Sequence, residues 1–213
     1  MRSYFWHIII ALGLFALFVF GGMIFAMRFS NDITFTDEEL ITAPSITIVD
    51  PRVGNENAPI TIVLYSDYAC PSCANVEQML VAFLVKHPQD VRLVWKDMPN
   101  ETRHAQAMPA AIAARCAGKQ EKFWEYHDAL FAQQSALSPE LYLSLATALN
   151  LDSPSFSSCI EKESTRPLVE RTLAEGLALQ VTATPTLFIN GQRFTGSLSQ
   201  AEIERVLTAE LAK

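Results

Sequence analysis

The chain has 213 residues, half of them hydrophobic, enough to build one domain around a sizeable core. A net charge of −7, with no long basic block and no Lys/Arg stripe interleaved with aromatics, argues against nucleic acid as the main partner. Cysteine usage is low and even: Cys70, Cys73, Cys116 and Cys159 allow three disulfide connectivities, of which Cys70–Cys73 with Cys116–Cys159 is the simplest.

In chain order, Ile8 to Met27 is an unbroken apolar or small-residue run of twenty, long enough to cross a bilayer at about 1.5 Å per residue. Arg2 precedes it and Arg28 follows it, so the basic flanks are nearly balanced. A short tail before a long following domain favours an inside N-terminus with the remainder exported. Residues 1–28 are therefore expected to form an uncleaved membrane anchor. A cleaved signal peptide is the alternative, although Ile24 and Ala26 make a poor small-x-small exit; a buried core helix is the third reading. Residues 29–45 read as a polar, acidic spacer.

From residue 46 to 213 the pattern is that of a folded α/β domain. Ile46-Thr47-Ile48-Val49 alternates as a short strand, Asp50-Pro51 and Gly54-Asn55 give turn chemistry, and Pro59 to Ser66 is the β-branched run of a buried strand. Val76, Met79, Leu80, Phe83 and Leu84 then keep a helical period up to His87-Pro88, and Val91 to Lys96 reads as another strand. That β–α–β order with a short crossover implies a parallel, right-handed pair. Residues from about 101 to 179 read as helical throughout, in four or five short segments; Ser138-Pro139 and Asp152-Ser153-Pro154 mark helix starts. Pro185 to Ile189, the turn Asn190-Gly191 and Arg193 to Thr195 form a hairpin, and the capping box Ser199–Glu202, with Leu198 as a staple, opens a final helix.

The chemistry is concentrated at Cys70-Pro71-Ser72-Cys73, between the buried strand and the first helix. Two thiols at this spacing can close a small ring and cycle between dithiol and disulfide. At a helix N-terminus the first sulfur faces free backbone N–H groups and the positive dipole end, which favour its thiolate. Pro71 suits the first helical position. A zinc half-site is the competing reading, but zinc needs two more ligands, and Cys116 and Cys159 are far away with no accompanying His pair. Cys116 and Cys159 fall in separate predicted helices, where a structural bridge and two buried thiols both fit.

The Cys-Pro-Ser-Cys junction, Thr184-Pro185-Thr186 entering the hairpin, and the all-helical insert resemble the thioredoxin superfamily, and within it the DsbA-like exported oxidoreductases. Phe123 to Asp128 and Phe188-Ile189-Asn190-Gly191 resemble its membrane-anchored or lipoprotein branch. The resemblance covers residues 46–213 and implies a thioredoxin fold with an inserted helical subdomain behind an N-terminal transmembrane helix. It implies Cys70 as the exposed nucleophile, Cys73 as the more buried resolving thiol, a cis Pro185 beside them, and Thr184 touching substrate.

By the same resemblance, the activity is disulfide introduction into exported proteins on the outer side of a bacterial cytoplasmic membrane, in the periplasm or at the cell surface. Exported thiols would be the substrates, a DsbB-like or VKOR-like quinone-linked membrane protein the reoxidant, and no cofactor would be needed. Disulfide reduction or isomerisation, or a thioredoxin-like module that binds without turnover, are the alternatives. Two positions depart from the family pattern: Leu64 stands where many members carry a buried acid, with Asp67 the nearest replacement, and Ser72 stands where the most oxidising members carry histidine. His104, His127, Trp95, Trp124 and Tyr126 are read as core or groove residues, and Tyr68 as a possible wall of a peptide groove.

Overall fold

The computed structural model describes residue 7, residues 13–23, residues 42–196 and residues 199–213. Two compact units are formed, Met1–Leu40 and Ile41–Lys213. In the first, residues 13–23 are helical, and Leu14, Phe15, Leu17, Phe18 and Phe20 are exposed. Much of the apolar run lies outside the described residues, and among those described no helix is long and apolar enough to cross a membrane.

The second unit is a five-stranded mixed sheet flanked by helices. Its strands are β1 (Arg52–Gly54), β2 (Ile60–Ser66), β3 (Val91–Asp97), β4 (Thr186–Ile189) and β5 (Gln192–Thr195), in the order β1-β3-β2-β4-β5. β2 and β3 run parallel over their full length, and β4 returns antiparallel on the other side of β2. The central strands are buried on both faces, which explains their continuous rather than alternating apolar pattern: Ile60, Ile62, Leu64, Leu93 and Trp95 are all essentially inaccessible. Helix α1 (Pro71–Lys86) is the crossover, and its Val76, Leu80 and Phe83 face the sheet while Met79 and Leu84 pack at the edge of the core.

The insertion between β3 and β4 comprises α2 (Ala107–Gly118), α3 (Phe123–Ala132), a 3-10 turn (Gln134–Ala136), α4 (Pro139–Ala148), α5 (Ser153–Glu161) and α6 (Arg166–Ala178). Ser138 accepts from the Leu141 N–H and Asp152 from the Ser155 N–H, so both proline-marked starts are capped as the sequence signals. Alanines at 110, 111, 113, 114 and 117 allow α2 to run buried through the middle of the subdomain, and Cys116 on it is bridged to Cys159 on α5. The closing hairpin turns at Asn190-Gly191, both at positive φ, and α7 (Gln200–Leu211) opens with the complete Ser199–Glu202 capping box. Leu198 lies outside the described residues.

The first strand is not where the alternation predicts it. Ile46 to Val49 pairs with no strand; the edge strand is β1, three residues further on, antiparallel to β3. The reason is Asp50. Its buried carboxylate accepts from the Thr47 N–H and hydroxyl at 2.7 and 2.8 Å, curling the segment, and pairs with the buried Lys96 ammonium at 3.0 Å. Glu175 holds the other side of that ammonium at 2.8 Å, so the desolvated lysine is compensated from two directions. Gly54 ends β1 at φ 96°, where a Cβ would lie 2.1 Å from the Val91 carbonyl oxygen.

Candidate active site

Sheet register assembles the site. Tyr65 near the end of β2 lies opposite Thr186 at the start of antiparallel β4, so the segment entering β4 comes alongside the chain leaving β2. That brings the Thr184–Pro185 bond, which is cis, beside Cys70: the Cys70 thiol donates to the Thr184 carbonyl at 3.6 Å. Cys70 is the N-cap of α1, with extended φ/ψ of −90° and 117°, and Pro71 follows as the first helical residue. Backbone bonds from Cys70 N to the Asp67 carbonyl and from Cys73 N to the Cys70 carbonyl hold the turn.

The two sulfurs are treated unequally. The Cys70 thiol is lowered to about 5, chiefly by a hydrogen bond from Cys73, against burial, with further help from Ser72, Thr184 and the Cys73 backbone N–H. Ser72 Oγ lies 3.1 Å from Cys70 Sγ, so the hydroxyl at the position of the absent histidine is itself a donor to the sulfur. Burial pushes the Cys73 thiol well up, and the neighbouring Cys70 adds to the effect. Cys73 is fully buried, but Cys70 is also only 7% accessible, less open than the expected exposed nucleophile, with the Ser72 hydroxyl and the Thr184 carbonyl against its sulfur. A cavity of about 450 Å³, lined by Met98, Asn100, Leu173, Leu177, Ala183 and Thr184, opens beside that segment.

Asp67, the nearest acid, is buried and fully engaged. Its carboxylate accepts from Ala69 N at 2.8 Å and Asn100 N at 3.1 Å and meets His104 Nδ1 at 2.9 Å, fastening the site loop to the connection after β3. Leu64 is core. Tyr68 is not a groove wall: it is 1% exposed, tilted against Trp95 at 4.8 Å between ring centroids and against Phe131 at 5.1 Å. Burial and the nearby Asp97 charge hold its phenol protonated, so it donates to His127 Nδ1 at 2.9 Å. His127 Nε2 then faces Glu77 Oε1 at 2.9 Å. Trp95 and Tyr126 are also core, and the Trp124 indole N–H donates to the Arg52 carbonyl.

Sequence reasoning missed two contributors. Glu77, on the inward side of α1, had no signal beyond being an acid amid apolar residues. Gln134, 64 residues after Cys70, donates from Nε2 to the carbonyls of both Tyr68 and Cys70, at 2.7 and 2.9 Å, and so ties the helical insertion to the site. Among the described residues no group of His, Cys, Asp and Glu could hold a metal ion.

The arrangement suits sulfur exchange: one sulfur is stabilised as an anion at a helix start, the other is a buried thiol next to it, and a cis-proline edge lies beside both. The thioredoxin family model Thioredoxin_4 matches residues 47–209. BdbD from Bacillus subtilis, in its oxidised crystal structure, superposes with a TM-score of 0.72 at 25% identity, over 80% of this chain and 97% of that one. Wolbachia pipientis α-DsbA1 gives 0.69 at 19% identity, over 78% of this chain and 93% of that one. Among curated sequences, Na⁺/H⁺ antiporter NhaA 1 of Salinispora arenicola is 33% identical over 159 residues, which is 75% of this chain and 24% of that protein. NhaA 3 of Salinispora tropica is 34% identical over 163 residues, 74% of this chain and 25% of that protein; the chain thus spans about a quarter of the length of these relatives. The chain belongs to the thioredoxin family, among its DsbA-like thiol-disulfide oxidoreductases.

Proposed function

We propose that the chain is a membrane-tethered oxidase that introduces disulfides into exported proteins through Cys70 and Cys73. The observation that carries this reading is the asymmetry of the pair, with Cys70 lowered to about 5 and Cys73 pushed up by burial. In the oxidised protein a substrate thiolate attacks Cys70 Sγ. The Cys70–Cys73 bond breaks, a substrate–Cys70 disulfide forms, and Cys73 leaves with the electron pair and takes up a proton, as its raised pKa favours. A second substrate thiolate then attacks the substrate sulfur of the mixed disulfide, and Cys70 leaves as a stabilised thiolate. The substrate loses two electrons to the pair. A low leaving-group pKa speeds this release and stabilises the reduced protein, both of which favour oxidation of substrate.

Thr184 and Pro185 present the substrate edge, with Ala183 exposed and the adjoining cavity open to a side chain. Export is supported by the apolar run from Ile8 to Met27 and by the Cys116–Cys159 bridge, which suits an oxidising compartment. In this reading residues 1–28 anchor, 29–45 space, and 46–213 catalyse outside the cytoplasm of a bacterial cell. Reoxidation falls to a DsbB-like or VKOR-like quinone-linked membrane partner. Mixing the oxidised protein with a reduced two-cysteine peptide should produce the peptide disulfide. Cys70→Ser should abolish the reaction, and Cys73→Ser, which has no disulfide of its own to exchange, should accumulate a mixed disulfide on Cys70 when it is given the oxidised peptide instead. Full activity in Cys70→Ser would end the proposal.

A further inference from the structure

Along the flank of α1 that faces α3 lies a second opening that the exchange chemistry does not use. A cavity of about 330 Å³ separates α1 from α3, walled by Ala74, Val81, Ala82, Phe131 and Ala132. A smaller one of about 190 Å³ continues along α1 past Val85 and Trp124. Three residues line both, Glu77, Val81 and Asp128, and two of the three are acids. Glu77 is 4% exposed; its Oε1 is met by His127, but its Oε2 is buried without any hydrogen-bond partner. A desolvated carboxylate oxygen left unpaired is costly, and natural structures keep few of them. Asp128 stands at the rim, its carboxyl raised first by partial burial and then by the Glu77 and Glu125 charges, with His127 opposing. A mostly apolar trough with two carboxylates where its two cavities meet matches an ammonium group at the end of an aliphatic stem.

The lining of the trough begins at Ala74, four residues past the reactive cysteine. Ala74 lies one helical turn beyond Cys70 on the same face of α1. On the opposite wall, Ala132 is two residues from Gln134, which holds the Tyr68 and Cys70 carbonyls. We propose that the groove between α1 and α3 receives a lysine side chain of the polypeptide being exchanged at Cys70, its stem against Val81 and Phe131 and its ammonium on Glu77 Oε2 and Asp128. The occupant is thus a cationic stretch of the substrate, and the inference rests on Cys70 being the attacked sulfur. The chain's net charge of −7 also favours a basic partner.

The test uses the oxidised full-length protein and single-cysteine peptides carrying lysine three residues before or after the cysteine, each with a norleucine counterpart. Rates of mixed-disulfide formation give a lysine-to-norleucine ratio, which is divided by the same ratio measured with oxidised glutathione to remove the peptide thiol's own reactivity. In at least one orientation the corrected ratio should be about tenfold, the scale of one charge-assisted contact. It should fall toward one in Glu77→Gln, in Asp128→Asn and in the groove-filling Ala82→Trp. Because each ratio is internal to its variant, a general change in Cys70 cancels, and the two rim and wall variants stand even where Glu77→Gln fails to fold. A corrected ratio near one in the wild type, or a high ratio unchanged in Asp128→Asn and Ala82→Trp, overturns the inference. No exchange with either peptide overturns the reading of Cys70 itself, and this inference with it.

Discussion

Ser72 is a one-hydroxyl answer to a problem that a cationic side chain would solve more strongly. With its Oγ 3.1 Å from Cys70 Sγ, it adds to the Cys73 thiol and the helix start rather than replacing them. In the reduced protein, ultraviolet thiolate absorbance should titrate with a midpoint near pH 5. Ser72→Ala should move that midpoint upward by about one unit or less, the worth of a single net hydrogen bond. The same shift fixes the sign of a stability effect. Between about pH 5 and 9 the unfolded chain holds a proton on Cys70 that the folded reduced chain does not, so stability rises with pH across that window and is lost as pH falls through about 5. The oxidised protein lacks this term. The denaturation midpoint of the reduced form should therefore gain on that of the oxidised form from pH 4 to pH 8; parallel curves would contradict the Cys70 assignment. The cysteines and Pro185 could be picked out of the sequence because spacing and local turn chemistry carry them. Glu77 and Gln134 could not, because what matters in each is a partner fifty or more residues away that only the packed helices supply.

At the scale of elements, helix α6 depends on a glycine to reach the sheet. A Cβ at Gly176 would stand 2.8 Å from Met98 Sδ and 3.1 Å from the Tyr65 ring. Gly176→Val should cost about 1–3 kcal/mol through overpacking, seen as a melting temperature lower by several degrees. The α2–α5 bridge closes a sequence separation of 43, and by loop entropy the double change Cys116→Ala/Cys159→Ala should cost about 4 kcal/mol at most. Thiolate titration in that variant should still centre near pH 5, since the bridge and the active pair lie on separate elements. Helices α4, α5 and α7 open at side-chain caps that can be read from sequence. The misplaced first strand shows the limit: alternation at Ile46–Val49 is a real β signal, overridden because Asp50 is drawn inward by Lys96, a residue on a different strand.

For the whole molecule, the fold puts a stabilised thiolate and a buried thiol at one end of a central strand, and a cis-proline edge across from them. First-cysteine pKa values from roughly 7 down to 3.5 accompany potentials from about −270 mV up to about −120 mV in this superfamily. A Cys70 value of about 5 lies between those ends, which is why direction was not legible from a Cys-Pro-Ser-Cys motif alone. It depends on how many donors the fold aims at one sulfur. Equilibrating the Cys70–Cys73 pair against glutathione measures that sum in one experiment. The proposed oxidase requires a potential between about −200 and −120 mV, whereas a value at or below about −270 mV would make the protein a reductant and contradict it.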